Sequence, residues 1–186
     1  DNGAINEPLQ HAVAGLLDTM QDTQLIYAPH LNSYRRFLPG FFAPISPCWG
    51  YDHRGVTIRI PHSRGKATRM EHRMSDGAAS PYLATAAVLQ AARLGVVNNI
   101  PLPAAEEQDC LESQSTDRHV PDTLNDACDA LEADAEFMEA MGRESAEQLI
   151  SIKRFEWGKY VEAVPDWEKR GKEVTQWELD FYTPFI

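Results

Sequence analysis

The sequence predicts an α+β fold in which a few short antiparallel strands precede a helical C-terminal part. Between residues 48 and 74, β-branched and aromatic residues alternate with polar ones, a period of two that is typical of strands. From residue 81 onward, apolar residues recur at helical spacing or stand in alanine-rich stretches. We expect strands and packing helices over residues 1–95, a loop over 96–120 and a helical tail over 121–186.

A helix and a long loop are predicted before the strands. Five apolar residues between Glu7 and Met20 lie close to helical spacing, and Pro8 is tolerated in a first helical turn. Residues 27–47 contain four prolines together with Arg35 and Arg36. A long ordered loop that carries arginines is a candidate for function.

Three strands are predicted in the middle of the chain. Residues 48–51 and 56–60 flank a turn at residues 52–55, and Arg59 should point away from the isoleucines beside it. The third strand covers residues 69–74, RMEHRM. Its period of two sends alternate side chains to opposite faces. The polar face would hold Arg69, Glu71 and Arg73, and the packing face Met70, His72 and Met74.

Helices are predicted after the strands. Residues 81–94 are apolar on nearly all sides, so a buried helix is expected. Residues 97–120 should form an exposed, mobile loop. Asp122 or Thr123 can cap the next helix, which reaches about Met141. Two more helices are expected over residues 144–161 and 166–182, the latter interrupted near Gly171. We expect the aromatic residues of this tail to pack and its acidic side chains to face solvent.

The composition bounds the class of protein. The chain has 186 residues, is 43% hydrophobic and 24% charged, and shows no apolar run long enough to span a membrane. The start of the sequence has no basic and apolar segments of a secretory signal, so a cytoplasmic location is expected. The three cysteines show no CxxC spacing. We expect reduced, mostly structural thiols and no zinc site.

The positive charge is concentrated in one segment. The net charge is −11, yet residues 32–73 carry eight Lys or Arg side chains against two carboxylates, a net charge of +6. Such a distribution argues against general nucleic-acid binding, for which a basic face over much of the domain is expected. Seven of the eight cations are arginines, which bind carboxylate and phosphate groups in a bidentate manner. A small anionic ligand fits this pattern, and surface arginines with separate partners are the alternative.

Four sequence blocks carry a resemblance to a known family. They are NSYRRFLPGFFAP (residues 32–44), WGYDHRGVTIRIP (49–61), RMEHR (69–73) and ASPYLATAAVL (79–89). In this order and spacing they resemble consecutive signature blocks of the glutamine synthetase superfamily, and the likeness covers nearly the whole chain. The resemblance implies the antiparallel strands of that family's catalytic domain, followed by a helical C-terminal part.

The resemblance also implies a reaction. In this family ATP phosphorylates the side-chain carboxylate of glutamate, and an amine then attacks the γ-glutamyl phosphate to give an amide and phosphate. Transferring phosphoryl groups are stabilised by cations already in place. By motif position, Arg36 and Arg73 resemble residues that bind the glutamate carboxylates, and Arg54 the arginine that stabilises the transferring phosphoryl group. Arg59 and Arg69 match contacts to ATP phosphates. Glu71 matches a ligand of Mg²⁺ or Mn²⁺, which prefer oxygen ligands.

One motif residue departs from the usual pattern. Ammonia-using members of the family typically read PGYEAP, with a glutamate that helps deprotonate ammonium, whereas this chain reads PGFFAP with Phe42 at that position. A phenyl ring accepts no proton but packs against an alkyl chain. We therefore expect an organic amine or polyamine as substrate, as in the γ-glutamylpolyamine and γ-glutamylalkylamide synthetases. Ordinary glutamine synthetase and a non-catalytic, anion-binding family member are the alternatives.

A second departure concerns what the chain contains. The family's N-terminal β-grasp domain and first catalytic strands, which carry most metal ligands, precede the helix with which this sequence opens. Glu71 alone cannot bind two metals, since each needs several ligands. We expect a catalytic half-domain without independent activity, and a ring-shaped homo-oligomer for the full-length protein. His53 and His72 are expected to be structural or to line the substrate site, and Asp52 to form a turn.

Overall fold

The computed structural model describes residues 5–38, 43–108, 110 and 116–185. These residues form an α+β fold with a small sheet and several helices, as predicted. The strands are β1 (Trp49–Tyr51), β2 (Ile58–Ile60) and β3 (Glu71–His72). The helices are α1 (Glu7–Asp18), α2 (Gln24–Tyr27), α3 (Pro81–Val97), α4 (Leu124–Ala133), α5 (Ala135–Met141), α6 (Arg143–Ala163) and α7 (Gln176–Tyr182).

The packing of α1 against α3 depends on two glycines. The side chain of Asn6 caps α1 by accepting a hydrogen bond from the Leu9 backbone at 3.1 Å. A Cβ atom at Gly15 would lie 2.2 Å from the Ala91 carbonyl oxygen, and one at Gly95 would lie 2.1 Å from the His11 carbonyl oxygen. The two helices therefore meet backbone to backbone, and only glycine fits at the crossing.

The sheet has the order β1-β2-β3, with one pairing that the sequence did not predict. β2 and β3 are antiparallel, as expected, but β1 and β2 are parallel, with Trp49 opposite Ile58. The expected turn is present, since Asp52 has a φ of +59°. Both Thr57 and Ile58 then donate to the Cys48 carbonyl at 3.1 Å. The chain thus returns to the start of β1 before β2 begins, which makes the pair parallel.

The segment between α3 and α4 is attached to the sheet over part of its length. The Glu106 backbone donates to the Trp49 carbonyl at 2.8 Å and forms a bridge to Gly50. The Cys110 backbone donates to the Gly55 carbonyl at 3.3 Å. The expectation of an exposed, mobile loop is wrong at these positions, because its backbone pairs with the strand and turn beside it.

The expectation of three reduced thiols is also wrong. Cys48 and Cys110 form a disulfide with a Cα–Cα distance of 6.5 Å, while Cys128 is a buried free thiol. Their 62-residue separation concealed the pair in the sequence. The attachment of the loop to β1 brings the two residues together.

The helix α3 is less buried than its composition predicts. Its buried residues are Ala87, Ala91, Leu94 and Gly95, which form the side that faces α1. Large apolar side chains on the other sides, including Tyr82 at 86% and Leu89 at 64% exposed, face outward. Although α3 is apolar on nearly all sides, most of it is not buried, because the other described residues pack mainly against the side that faces α1.

The helical tail follows the prediction, with breaks. Thr123 and Asp126 cap α4 reciprocally, and Asp134 ends that helix while its side chain caps α5. A 3₁₀ turn (Trp167–Arg170) ends at Gly171, whose φ of +53° interrupts the last predicted helix. The acidic side chains do not all face solvent, because Glu156 and Glu178 are buried. No helix among the residues described is long and apolar enough to cross a membrane.

Candidate functional site

Glu71 lies between two arginines on one face of the sheet. β3 places Glu71 directly opposite Arg59 on β2. Arg59 Nη2 lies 2.6 Å from Glu71 Oε2, and Arg69 Nη2 lies 3.0 Å from Glu71 Oε1. A carboxylate with an arginine at each oxygen is held in one orientation. The three side chains therefore form a fixed polar surface on this part of the sheet.

The opposite face of β3 packs, as the period of two predicts. The ring of His72 lies 4.2 Å from the ring of Tyr27, and Met74 is fully buried. Burial lowers the pKa of His72 to about 4, so the imidazole is neutral at neutral pH. These contacts fit the structural role expected of His72.

Arg73 adds further positive charge beside this surface. Its Nη1 donates to the carbonyl of Arg54 and, at 2.9 Å, to the carbonyl of Val56. Burial lowers the pKa of Arg73, and the neighbouring charges of Arg59 and Arg54 lower it further. Several like charges at one place repel each other unless an anion balances them. The surface thus has the electrostatics of an anion site.

Arg36 reaches the same region from the 3₁₀ turn Leu31–Arg35. Its Nη2 donates to the Met74 carbonyl, and its guanidinium lies 4.5 Å from the centre of the Phe37 ring. Burial lowers the pKa of Arg36, and Asp76 partly opposes this. The sequence did not single out Asp76 as a neighbour of Arg36. The available signal was its position two residues after Met74, the end of the predicted third strand.

Two buried donors on these arginines are without hydrogen-bond partners in the part of the chain that the structure describes. They are Nε of Arg36 and Nε of Arg59. A buried donor without an acceptor costs roughly 1–3 kcal/mol. Phosphate or carboxylate oxygens are suitable acceptors for a guanidinium. Because these two nitrogens are covered by the protein, it is the charge of the arginines, and not these two donors, that favours an anionic ligand nearby.

A model of the glutamine synthetase catalytic domain matches residues 1–171 of this chain. The chain belongs to the glutamine synthetase family. It is 36% identical over 186 residues to a glutamine synthetase of Pyrococcus abyssi, with 96% of this chain and 42% of the relative covered. It is 34% identical over 170 residues to the gamma-glutamylethanolamide synthetase GlnA4 of Streptomyces coelicolor, with 91% and 36% covered.

A solved structure supports the same family. The structure "Apo GmaS without ligand" matches with a TM-score of 0.77 at 27% identity, covering 97% of this chain and 39% of the other. The chain spans about two fifths of the length of these relatives. The family resemblance given by the four sequence blocks is confirmed.

The described residues do not account for the metal binding that is expected of a glutamine synthetase. No group of three or more His, Cys, Asp or Glu side chains that could hold a metal ion occurs within residues 5–38, 43–108, 110 and 116–185. Glu71 is a single carboxylate, and a divalent cation needs several ligands. The described residues therefore do not make up a metal site, whereas the arginines fit phosphate.

The remaining predicted residues have different surroundings. His53 Nε2 lies 2.9 Å from the Glu106 carbonyl, a structural contact. Asp52 lies 3.4 Å from His62, which the sequence did not predict. Phe42 and the rest of residues 39–42 lie outside the described residues. Arg54 is exposed beside Arg73.

Proposed function

We propose that the full-length protein joins the γ-carboxylate of glutamate to an amine in an ATP-dependent reaction through a γ-glutamyl phosphate. The observation that carries the proposal is the concentration of positive charge at Glu71, where Arg59 and Arg69 contact the carboxylate and Arg73 and Arg54 lie close by. Membership of the glutamine synthetase family supports the same general chemistry. ATP and glutamate both present the anionic oxygens that arginines bind.

Each arginine has a proposed role in this reaction. Arg36 and Arg73 bind the carboxylates of glutamate, and Arg59 and Arg69 bind ATP phosphates. Arg54 stabilises the transferring phosphoryl group, where cations already in place lower the barrier. The exposure of Arg54 supports this role, because an exposed side chain can reach a bound ligand.

Glu71 is proposed as one ligand of Mg²⁺ or Mn²⁺. Its two oxygens each carry more than one lone pair, so contact with an arginine does not prevent coordination. The other ligands would come from parts of the protein outside this chain, as the family pattern implies. The metal ions would neutralise charge on the phosphates.

The proposed amine is an organic amine or polyamine. The support is Phe42, which lacks the proton-accepting group of the glutamate in ammonia-using members. One relative is named a gamma-glutamylethanolamide synthetase, a name that describes an organic amide product. The competing candidate is ammonia, since other relatives are named glutamine synthetase.

An amine panel tests the substrate. We expect the full-length protein to release phosphate from ATP faster with putrescine, longer polyamines or monoamines than with ammonia, because a phenyl ring packs against alkyl chains. The matched variant F42E should shift the preference toward ammonia, by roughly tenfold in the ratio of kcat/KM values.

A second variant at position 42 provides the control for this experiment. F42Y keeps an aromatic ring and should retain the preference for organic amines. If the wild-type protein prefers ammonia, the proposed organic amine substrate is wrong, but the proposed ATP-dependent ligation of glutamate to an amine still stands. Phosphate release that is independent of every amine and of glutamate would contradict ligation itself and favour a non-catalytic or unrelated role.

A further inference from the structure

Three residues beyond the family match contact the turn that leads to Arg36. The match ends at residue 171, and Lys172, Glu178 and Tyr182 follow it. Lys172 Nζ donates to the Tyr34 carbonyl at 2.9 Å, and the Leu31 backbone donates to the Tyr182 hydroxyl oxygen at 2.9 Å. These contacts lie at both ends of the 3₁₀ turn Leu31–Arg35.

The central contact is a bidentate ion pair. Arg35 donates through Nε and Nη2 to the two carboxylate oxygens of Glu178, each at 3.1 Å. Nη1 of the same arginine donates to the Gly171 carbonyl at 2.5 Å, and Nη2 also donates to the Tyr160 hydroxyl at 2.9 Å. The guanidinium of Arg35 therefore joins the 3₁₀ turn to Tyr160, Gly171 and Glu178 of the helical tail.

The carboxylate of Glu178 is itself fixed. It is 2% exposed, and its Oε2 accepts hydrogen bonds from the backbone and hydroxyl of Thr175, both at 2.8 Å. Tyr182 is fixed in a similar manner, because its hydroxyl donates to buried Glu156 and its ring stacks on His30 at 4.5 Å. Buried, fully bonded polar groups of this kind hold one arrangement.

Arg35 and Arg36 are adjacent but point to different partners. Arg35 bonds to the tail, whereas Arg36 bonds to the Met74 carbonyl beside β3. The direction of the Arg36 side chain depends on the position of the backbone at the end of the turn. The tail fixes that backbone through Arg35 and Tyr34.

We infer that residues 172–182 position Arg36 for the substrate carboxylate, with Glu178 as the main positioning residue. The inference rests on the proposed function, in which Arg36 binds glutamate. Glu178 does not contact the substrate in this scheme and acts only through the position of Arg36. Because Arg36 binds glutamate in the proposed function, the loss of Glu178 should weaken glutamate binding and leave the binding of ATP unchanged.

The test measures KM for glutamate and for ATP in the full-length protein. E178Q should raise KM for glutamate roughly tenfold, with KM for ATP unchanged and kcat within about threefold. A smaller amount of folded protein lowers the apparent kcat but leaves KM unchanged, so misfolding and mispositioning give different results. D180N, at an exposed carboxylate of the same helix, is the matched control and should behave as wild type.

A second variant keeps the inference testable if E178Q does not fold. K172M removes one donor to the Tyr34 carbonyl from a half-buried position, and should raise KM for glutamate about two- to threefold. An unchanged glutamate KM in whichever of these variants folds would overturn the inference.

A direct variant separates this failure from failure of the proposed function. R36Q removes the guanidinium that is proposed to bind a carboxylate of glutamate. If R36Q raises KM for glutamate and E178Q and K172M do not, the tail has no positioning role and the proposed function stands. If R36Q also leaves KM for glutamate unchanged, the proposed role of Arg36 is wrong and the inference fails with it.

Discussion

At the level of single residues, the site depends on which side chains face each other across the sheet. The period of two in RMEHR predicted that Glu71 and His72 point to opposite faces, and the contacts of Glu71 with Arg59 and of His72 with Tyr27 agree. The pairing of Glu71 with Arg59 was not predictable, because it depends on the register between β2 and β3. The different directions of the adjacent arginines 35 and 36 depend on tail residues far away in sequence.

Asp22 carries a prediction about pH and stability. Burial, together with the charges of Asp134 and Asp18, raises its pKa to about 6, although Arg118 and a backbone hydrogen bond oppose this. The folded state therefore holds a proton that the unfolded chain has lost, and stability falls as pH rises from about 4 to about 6. D22N should be more stable than wild type at pH 7.5, by on the order of 1 kcal/mol after allowance for solvent screening.

Urea unfolding at pH 4 and pH 7.5 measures this effect. The advantage of D22N should be present at pH 7.5 and nearly disappear at pH 4, where Asp22 is protonated in the folded wild type. E168Q, at an exposed carboxylate that is not among the groups acting on the pKa of Asp22, serves as control and should change stability by less than about 0.5 kcal/mol at either pH. An equal advantage of D22N at both pH values would contradict a raised pKa.

At the level of elements, the crossing of α1 and α3 makes a sharp prediction. G95A places a methyl group 2.1 Å from the His11 carbonyl oxygen, so the two helices must separate. We expect a loss of about 2–3 kcal/mol in the free energy of unfolding.

Gly158 is the matched control for this variant. It also lies inside a helix, α6, but a Cβ there meets nothing within 4 Å. G158A should stabilise the protein by about 0.5–1 kcal/mol, because alanine is the better helix former. Destabilisation of similar size in both variants, measured by urea unfolding, would show that the close contact between α1 and α3 is not the cause.

The disulfide makes a second prediction at this level. It closes a loop of 62 residues, for which the chain-entropy description gives about 4 kcal/mol of stabilisation. C48S should therefore lower the free energy of unfolding by several kcal/mol. Dithiothreitol should lower the stability of wild type toward that of C48S and leave C48S unchanged, and a reductant effect of equal size on both would argue against the bond.

The elements themselves were largely predictable, while their connections were not. The cap at Thr123 and the break near Gly171 follow from local residue chemistry, and both occur where the sequence places them. The parallel pairing of β1 with β2 and the bond between Cys48 and Cys110 depend on the path of the chain in space. Local patterns carry no information about such paths.

At the level of the whole molecule, the 186 residues alone should lack ligase activity. The reason is the metal site, for which the described residues offer Glu71 but no cluster of ligands. Phosphate release from ATP with glutamate and amine checks this prediction, with the full-length protein as the positive control. Steady turnover by the 186 residues would contradict it and would also contradict the proposal that further ligands come from outside the chain.

The assembly of the full-length protein is a further proposal at this level. We propose a ring-shaped homo-oligomer, on the basis of the family alone. The part of the full-length protein that lies outside these 186 residues discriminates an enzyme from a non-catalytic relative. Histidine and glutamate ligands there would support catalysis, and their loss would favour a binding protein.

The bridge between Gly50 and Glu106 has a consequence for how the sheet can grow. Glu106 occupies the outer edge of β1, so backbone groups there are already paired. In the residues that the structure describes, β3 pairs with β2 on one side and with no strand on the other. A strand that joined beside β3 would place its side chains next to Glu71. The border of the sheet that has no partner strand among the described residues is therefore the one that carries the proposed metal ligand.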